Sequence, residues 1–196
     1  MKLRPLALAL IMSLPISGVV AQHAPAGPVA AAAPAEAKQF DFLLGQWELE
    51  VHPKVSSLVA MIHGTPRLVG TWKAWRAAQG LGIEDEMRIV DASGNPISLS
   101  RAQRVYAAAE GLWNISGHDV TRGRTSDAKG KWQDGEMHVD GHSTDAGVKI
   151  LTRTRFYGIT ADAFHILQDR STDDGQTWEK GSLTIDAKRV AATAAP

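Results

Sequence analysis

The chain has 196 residues, with 21 basic and 21 acidic side chains, no cysteine, and 44% hydrophobic residues that include six tryptophans. That length holds one domain and a leader, and about 150 residues of mature chain are enough to bury a sizeable core. The charge balance excludes the basic stripe that nucleic acid requires, the apolar content excludes a disordered chain, and without cysteine neither a disulfide nor an N-terminal lipid-modified cysteine can form.

Residues 1–21 read as a secretory signal. Lys2 and Arg4 supply a positive n-region, the stretch 6–20 is apolar, and Val19-Val20-Ala21 places small residues before a cleavage point at Gln22. Pro15 and Gly18 interrupt the apolar run, which is too short for a stable membrane span. The expected product is a periplasmic or secreted protein with no stable membrane insertion after cleavage. Loss of Lys2 and Arg4 with the leader brings the formal charge to about −2. Residues 22–38 are rich in Ala and Pro, with Pro25, Pro28 and Pro34 breaking any helix, and read as a disordered linker. Residues 191–196 read as a loose tail.

Between these ends, residues 39–190 carry strand periodicity. Residues 47–51 alternate, and 68–77 place Trp72, Ala74 and Arg76 opposite Thr71, Lys73 and Trp75. Residues 83–90 place Ile83, Asp85, Met87 and Ile89 on one face, with Glu84, Glu86 and Arg88 on the other. The turn cluster 91–96 leads into a strand over 97–107, followed by strands over 113–120, 136–143, 148–158, 163–171 and 178–190. Asp134-Gly135 and Asp174-Gly175 are hairpin signals, since both dipeptides accept positive φ. The stretch 52–66 resists this pattern and reads as a long loop or short helix after the first strand, covering one mouth. About nine strands joined by short turns predict an all-β fold, an antiparallel up-and-down barrel of about 8–10 strands, because closure removes exposed edges.

Two motifs punctuate the domain. Ser171-Thr172-Asp173-Asp174-Gly175-Gln176-Thr177-Trp178 matches the Asp-box pattern Ser-x-Asp-x-Gly-x-Thr-Trp, best known from sialidases and other propellers. A propeller repeats such a unit, and here it occurs once, so the box is read as a hairpin. Asp173 caps the turn, Gly175 adopts a conformation closed to larger residues, and Trp178 packs back on the strand. Near the start, Phe40-Asp41-Phe42-Leu43-Leu44-Gly45-Gln46-Trp47 opens the first strand. Gly45-x-Trp47 resembles the signature of the lipocalin superfamily. That resemblance implies that Trp47 closes the base of a barrel under a late cation, here Arg189 or, failing that, Lys188. A guanidinium over the indole face gains cation–π attraction. Taken together, the two motifs resemble a bacterial lipocalin-like, calycin-type family, over about residues 39–189. The resemblance implies a fold and carries no activity, substrate or catalytic residue with it.

For chemistry, His138 and His142 share a strand face about 13 Å apart, too far to bind one ion directly. His118, His138 and Asp140 would make a polar cavity if they faced inward, and solvated positions are the simpler reading. A haem-binding barrel needs a histidine in an apolar pocket, and His165 has mixed neighbours. No Gly-x-Ser-x-Gly elbow is present. Glu84, Glu86 and Arg88 fit a cross-strand salt network on the solvated side. Arg101, Arg104, Arg153 and Arg155 lie in central strands, and any that is buried implies a paired carboxylate or an anionic ligand. Val148, Ile150, Thr152, Thr154 and Phe156 look interior. The expected function is binding of a small, largely apolar molecule, lined by Trp72, Trp75, Met87, Trp113 and Phe156, with His118 and His138 as polar lining. No catalytic residue, metal or cofactor is assigned. The alternatives are acid–base catalysis through His118, His138 or Asp140, a haem-binding barrel, or a docking protein that uses residues 55–62.

Overall fold

The computed structural model describes residues 33–77 and 82–191. The expected signal 1–21, most of the expected linker and nearly all of the expected tail lie outside these residues. Ten antiparallel strands close into a barrel in simple meander order, with the first strand paired to the last. They are β1 (Gly45–Pro53), β2 (Leu68–Arg76), β3 (Gly82–Asp91), β4 (Pro96–Ala107), β5 (Leu112–Asp119), β6 (Arg124–Gln133), β7 (Glu136–Asp145), β8 (Val148–Tyr157), β9 (Ala163–Ser171) and β10 (Glu179–Arg189). The all-β barrel expected from the alternating pattern is therefore observed.

The strand missing from the sequence reading is β6. Its segment Arg-Thr-Ser-Asp-Ala-Lys-Gly-Lys-Trp-Gln lacks an apolar row, because its inward positions are Ser126, Ala128, Gly130 and Trp132. Both Asp-Gly dipeptides turn hairpins, Asp134 (φ 52) joining β6 to β7 and Asp174 (φ 56) standing between β9 and β10.

Because strands alternate direction, the barrel has two distinct ends. The base gathers Trp47, Ile83, Trp113, Met137, Phe156 and Phe164, all buried. It is plugged from below by two short 3-10 turns, Ala35–Lys38 and Asp41–Leu43, whose Ala37, Leu43 and the intervening Phe40 are also buried. Packing therefore begins at Ala37, inside the stretch expected to be linker, because the plug needs small and apolar residues just ahead of β1. Ring pairs knit plug to barrel: Phe40 meets Trp113 edge-on at 5.0 Å, and Phe42 meets Phe164 at 5.5 Å, while within the barrel Trp47 meets Phe164 at 4.7 Å. Trp113 Nε1 also donates to Gln39 Oε1 at 3.1 Å.

The opposite end, the mouth, carries the β1–β2, β3–β4, β5–β6, β7–β8 and β9–β10 connections. The first of these contains α1 (Ser57–His63), the helix anticipated in 52–66. Its Leu58, Met61 and Ile62 share one helix face and are 61%, 78% and 63% exposed. They do not pack down as a cover on the barrel, which is what the sequence reading expected of this loop. Among the described residues no helix is long and apolar enough to cross a membrane.

Candidate functional site

The base closure is built from the opening motif. Trp47 and Arg189 are register partners on β1 and β10, and the Arg189 guanidinium lies 4.1 Å from the indole centroid. Arg189 also donates to three carbonyls: from Nε to Ala161 O (2.6 Å), from Nη1 to Leu44 O (2.6 Å) and from Nη2 to Phe42 O (3.2 Å). Trp47 Nε1 donates to Leu43 O at 2.8 Å. Gly45 has φ +111°, and a Cβ there would come within 2.7 Å of Arg189 Nη1, so both backbone angle and space require glycine. The motif thus welds the plug to the last strand and makes no contact with the chamber above.

Above this floor the barrel is hollow. A cavity of about 720 Å³ runs to the mouth, within the range of small-molecule sites. One wall is apolar, with Val51, Leu68, Trp72, Met87, Ile89 and Ile185. The facing wall offers Ser100, Ser126, Ser143, Thr152, Thr154 and Gln168. Small residues Ala102, Gly117, Ala128 and Gly141 on β4 to β7 leave the volume between the walls unfilled. At the mouth, Arg124 pairs with Asp145 (3.3 Å), and Asp119 accepts from Ser98 Oγ at 3.0 Å.

The chamber's deepest polar feature is the ion pair between Arg104 of β4 and Asp85 of β3, whose side chains are 8% and 4% exposed. Trp72 Nε1 donates to Asp85 Oδ1 at 2.9 Å. The Arg104 guanidinium lies 5.3 Å from the Phe40 ring and 5.6 Å from that of Trp72. Burial pulls its pKa down to about 10 from an ordinary 12.5, so it remains charged at neutral pH. Arg104 Nε has no hydrogen-bond partner among the described residues. The sequence reading named Arg104 as a central-strand arginine and Asp85 as a member of an apolar row without joining them. The lone acid in the row Ile83, Asp85, Met87, Ile89 was the available signal.

Of the residues expected to line a ligand, Trp72, Met87 and Phe156 do line the cavity. Trp113 is fully buried in the floor, packed on Phe40 and Tyr106. Trp75 points outward, 46% exposed, and donates to Glu84 Oε2 at 3.2 Å. His118 follows inward Gly117 and precedes inward Asp119, so it faces solvent on β5. His118 and Trp75 border a shallow groove of about 630 Å³ on the outer wall, and of the two only His118 also reaches the edge of the chamber. His138 alternates with inward Met137 and Val139, and its imidazole meets Glu136 at 3.4 Å on the outside. Asp140 is likewise outward and exposed, so the His118, His138 and Asp140 cluster imagined for acid–base chemistry is not assembled.

His165, the candidate for haem, is also outward: Nδ1 lies 2.5 Å from Asp186 Oδ1, and the ring stacks against Tyr157. Among the described residues no three His, Cys, Asp or Glu side chains converge on a metal position. On the outer wall Glu86 pairs across strands with Arg101 at 3.0 Å, where the sequence pattern grouped it with Glu84 and Arg88, and Glu84 accepts from Trp75.

The Asp-box closes one side of the mouth. Thr177 donates to Asp173 through its backbone N (2.9 Å) and hydroxyl (2.6 Å), while Gly175 N donates to Ser171 Oγ (2.9 Å). Trp178 Nε1 donates to Gly175 O at 3.0 Å, and Arg153 stacks on the indole at 3.9 Å. The Thr177 hydroxyl and amide hold the Asp173 carboxyl down to about 2.

No known protein-family model matches the chain, and no curated protein matches it either.

Proposed function

We propose that this protein is an exported lipocalin-like carrier that binds a small, largely apolar molecule inside the barrel. The observation that supports this reading is the chamber: a strand barrel with a sealed aromatic floor keeps about 720 Å³ unfilled above it. Small barrels ordinarily fill that space with side chains. Here many inward positions of β4 to β7 at the level of the chamber are small, among them Ser100, Ala102, Gly117, Ser126, Ala128, Gly141 and Ser143, with Ile115 and Val139 as larger exceptions. An unfilled interior forfeits dispersion contacts, a cost a bound molecule repays. The five histidines on strands (His52, His118, His138, His142 and His165) all lie on the outer face, which favours binding over acid–base catalysis in the chamber. The leader pattern around Lys2, Arg4 and Ala21 supports export, and the Phe40–Trp47 and Ser171–Trp178 motifs support the lipocalin-like family reading.

Native mass spectrometry of protein purified from the periplasm tests the proposal. The expected spectrum carries a co-purifying small mass that is lost on organic extraction, after which the protein quenches or enhances an added apolar fluorophore. A clean apo mass together with no fluorophore binding overturns it.

A further inference from the structure

The lining of the chamber carries an unbalanced positive charge at its mouth. Three ion pairs close on themselves: Asp85–Arg104 at the floor, and Arg122–Asp119 (3.9 Å) and Arg124–Asp145 (3.3 Å) at the rim. The floor pair offers a ligand nothing, because Arg104 Nε and Nη1 and Asp85 Oδ2 are sealed from the lumen. Arg101 turns outward to Glu86 (3.0 Å), and Asp127 to His142 (4.0 Å). Three charges remain on the lining, Lys54, Arg170 and Glu179, and all three are exposed. They sit together. Arg170 ends the inward row Phe164, Ile166, Gln168 of β9, and Glu179 is its register partner on β10. Lys54 follows β1 on the far side of β10, where its amide donates to Ser182 O at 3.0 Å. The two cations thus flank β10 with their backbones two strand spacings, about 10 Å, apart, a gap that two long side chains can close on one group. The Arg170 guanidinium has no hydrogen bond or ion pair among the described residues, and Lys54 Nζ gives one donor to Lys180 O at 3.0 Å, which leaves two. One acid against two cations leaves an excess of one positive charge. Directly below it the wall is apolar, with Val51, Ile166, Leu183 and Ile185.

Resting on the carrier reading above, we propose that the ligand is a singly charged amphiphile, an apolar chain ending in one carboxylate, whose head is held at the mouth by Arg170 and Lys54. The guanidinium fork matches a carboxylate, and the ammonium adds a second charge-assisted donor. A head at the open rim stays partly hydrated, so it avoids the cost of burying a charge that the sealed floor would impose. From Arg170 down to Ile166, the register partner of Phe156, β9 runs about 13 Å, and the chain hangs along this wall toward the floor. Glu179 competes with the ligand for Arg170.

The test is displacement of an apolar fluorophore from the full-length mature protein at neutral pH by decanoate, decanol and decylammonium, which share one chain and differ in head charge. At low salt decanoate is expected to bind about 5-fold more tightly than decanol, with decylammonium weakest. Near 0.5 M salt that preference is expected to fall below about 2-fold, since the rim is open to screening. In Arg170→Gln the decanoate-over-decanol ratio is expected to drop below about 2 even at low salt, and in Lys54→Gln to drop by less, because Lys54 also serves Lys180 O. Glu179→Gln, which removes the rival acceptor, is expected to raise the ratio about 2-fold. All three positions are exposed, so the variants keep the fold. Decanol or decylammonium matching decanoate on the parent protein, or a ratio that survives in both Arg170→Gln and Lys54→Gln, overturns the anionic-head assignment and leaves the carrier reading standing. Failure of every compound to displace the probe removes the carrier reading itself.

Discussion

At the base of the barrel, Phe40, Trp47, Trp113 and Phe164 are sealed from water, while near the mouth the inward-facing Ser126 remains exposed to the open lumen. Both ends belong to the same ten strands and obey the same alternation. The difference lies in the volume of the inward side chains: Trp, Phe, Met and Ile fill the base from every side, whereas above it one wall keeps large apolar residues and the facing wall carries Ser, Gly, Ala and Thr. Strand number sets how much interior a barrel encloses, and residue size sets how much of it stays empty. The floor is therefore where stability is concentrated, and the chamber is where binding is expected to show.

The sharpest contrast comes from truncating one large residue at each level. Phe164→Ala removes a fully buried ring that meets Trp47, Phe42 and Phe156, and is expected to cost about 3–5 kcal/mol in urea unfolding. Met87→Ala, on the wall of a space already open, is expected to cost about 1 kcal/mol, since little new cavity is created. Equal costs would erase the distinction between floor and chamber.

The buried pair lies on the boundary between the two levels. Asp85→Ala leaves the Arg104 charge buried without a partner, and is expected to destabilise by about 3 kcal/mol. Replacing both residues, as Asp85→Leu/Arg104→Met, is expected to restore most of that loss, because apolar residues of similar volume replace buried ion pairs at little cost. A double variant as unstable as the single would mean that the pair holds the floor together. In that case it belongs to the lower region and not to the chamber.

Arg189→Ala loses the cation over Trp47 and donors to three carbonyls, and about 2 kcal/mol is expected, read as a lower urea midpoint. Ligand affinity should not move, since this closure lies below the chamber. Ser126→Phe does the reverse. It fills lumen space, so probe binding is expected to weaken about 10-fold while stability changes by less than about 1 kcal/mol. If Ser126→Phe binds the fluorophore as well as the parent, the chamber is not where the probe sits.

Much of this two-level plan was written in the alternation. Ile150, Thr152, Thr154 and Phe156 line the interior as read, while Val148, at the mouth end of the same row, is exposed, and Gly45-x-Trp47 lies beneath Arg189. Parity alone also separates Trp72 from Trp75, so both could never have lined one cavity. The same rule puts His138 outside once Met137 is placed inside. What alternation could not supply was β6, whose inward residues are small and polar because the chamber is hollow there. The absence of an apolar row, which hid that strand, is the same feature that creates the site. Nor could it supply the Asp85–Arg104 pair, since meeting across β3 and β4 depends on a register that pairs Ile83 with Arg104 and Asp85 with Ala102.

The smallest expected effect belongs to the Asp-box hairpin at the mouth, far from the floor. Asp173 is held at about 2, against an ordinary 3.8, first by the Thr177 hydroxyl and then by the Thr177 amide and the Ser171 hydroxyl. A carboxyl depressed in the folded state contributes stability that is fully present above its unfolded value and is lost as pH falls through the folded one. The window is therefore about pH 4 to pH 2. Other carboxyls are lowered as well, Asp169 by its bonds to Lys180 and the Gly181 amide and Glu110 by Lys129, so the informative quantity is the difference between the parent and Asp173→Asn. That difference in urea midpoint is expected to be small and constant above pH 4, to shrink between pH 4 and pH 2, and to vanish only below about pH 2, where both proteins carry an uncharged group at the turn. Ligand affinity is expected to be unchanged in Asp173→Asn at neutral pH, because Asp173 spends its oxygens on its own hairpin and does not line the chamber. A variant that keeps its full deficit below pH 2 would show that the box acts through shape alone. One that loses affinity would make the mouth hairpin part of the binding site and blur the division between the two ends.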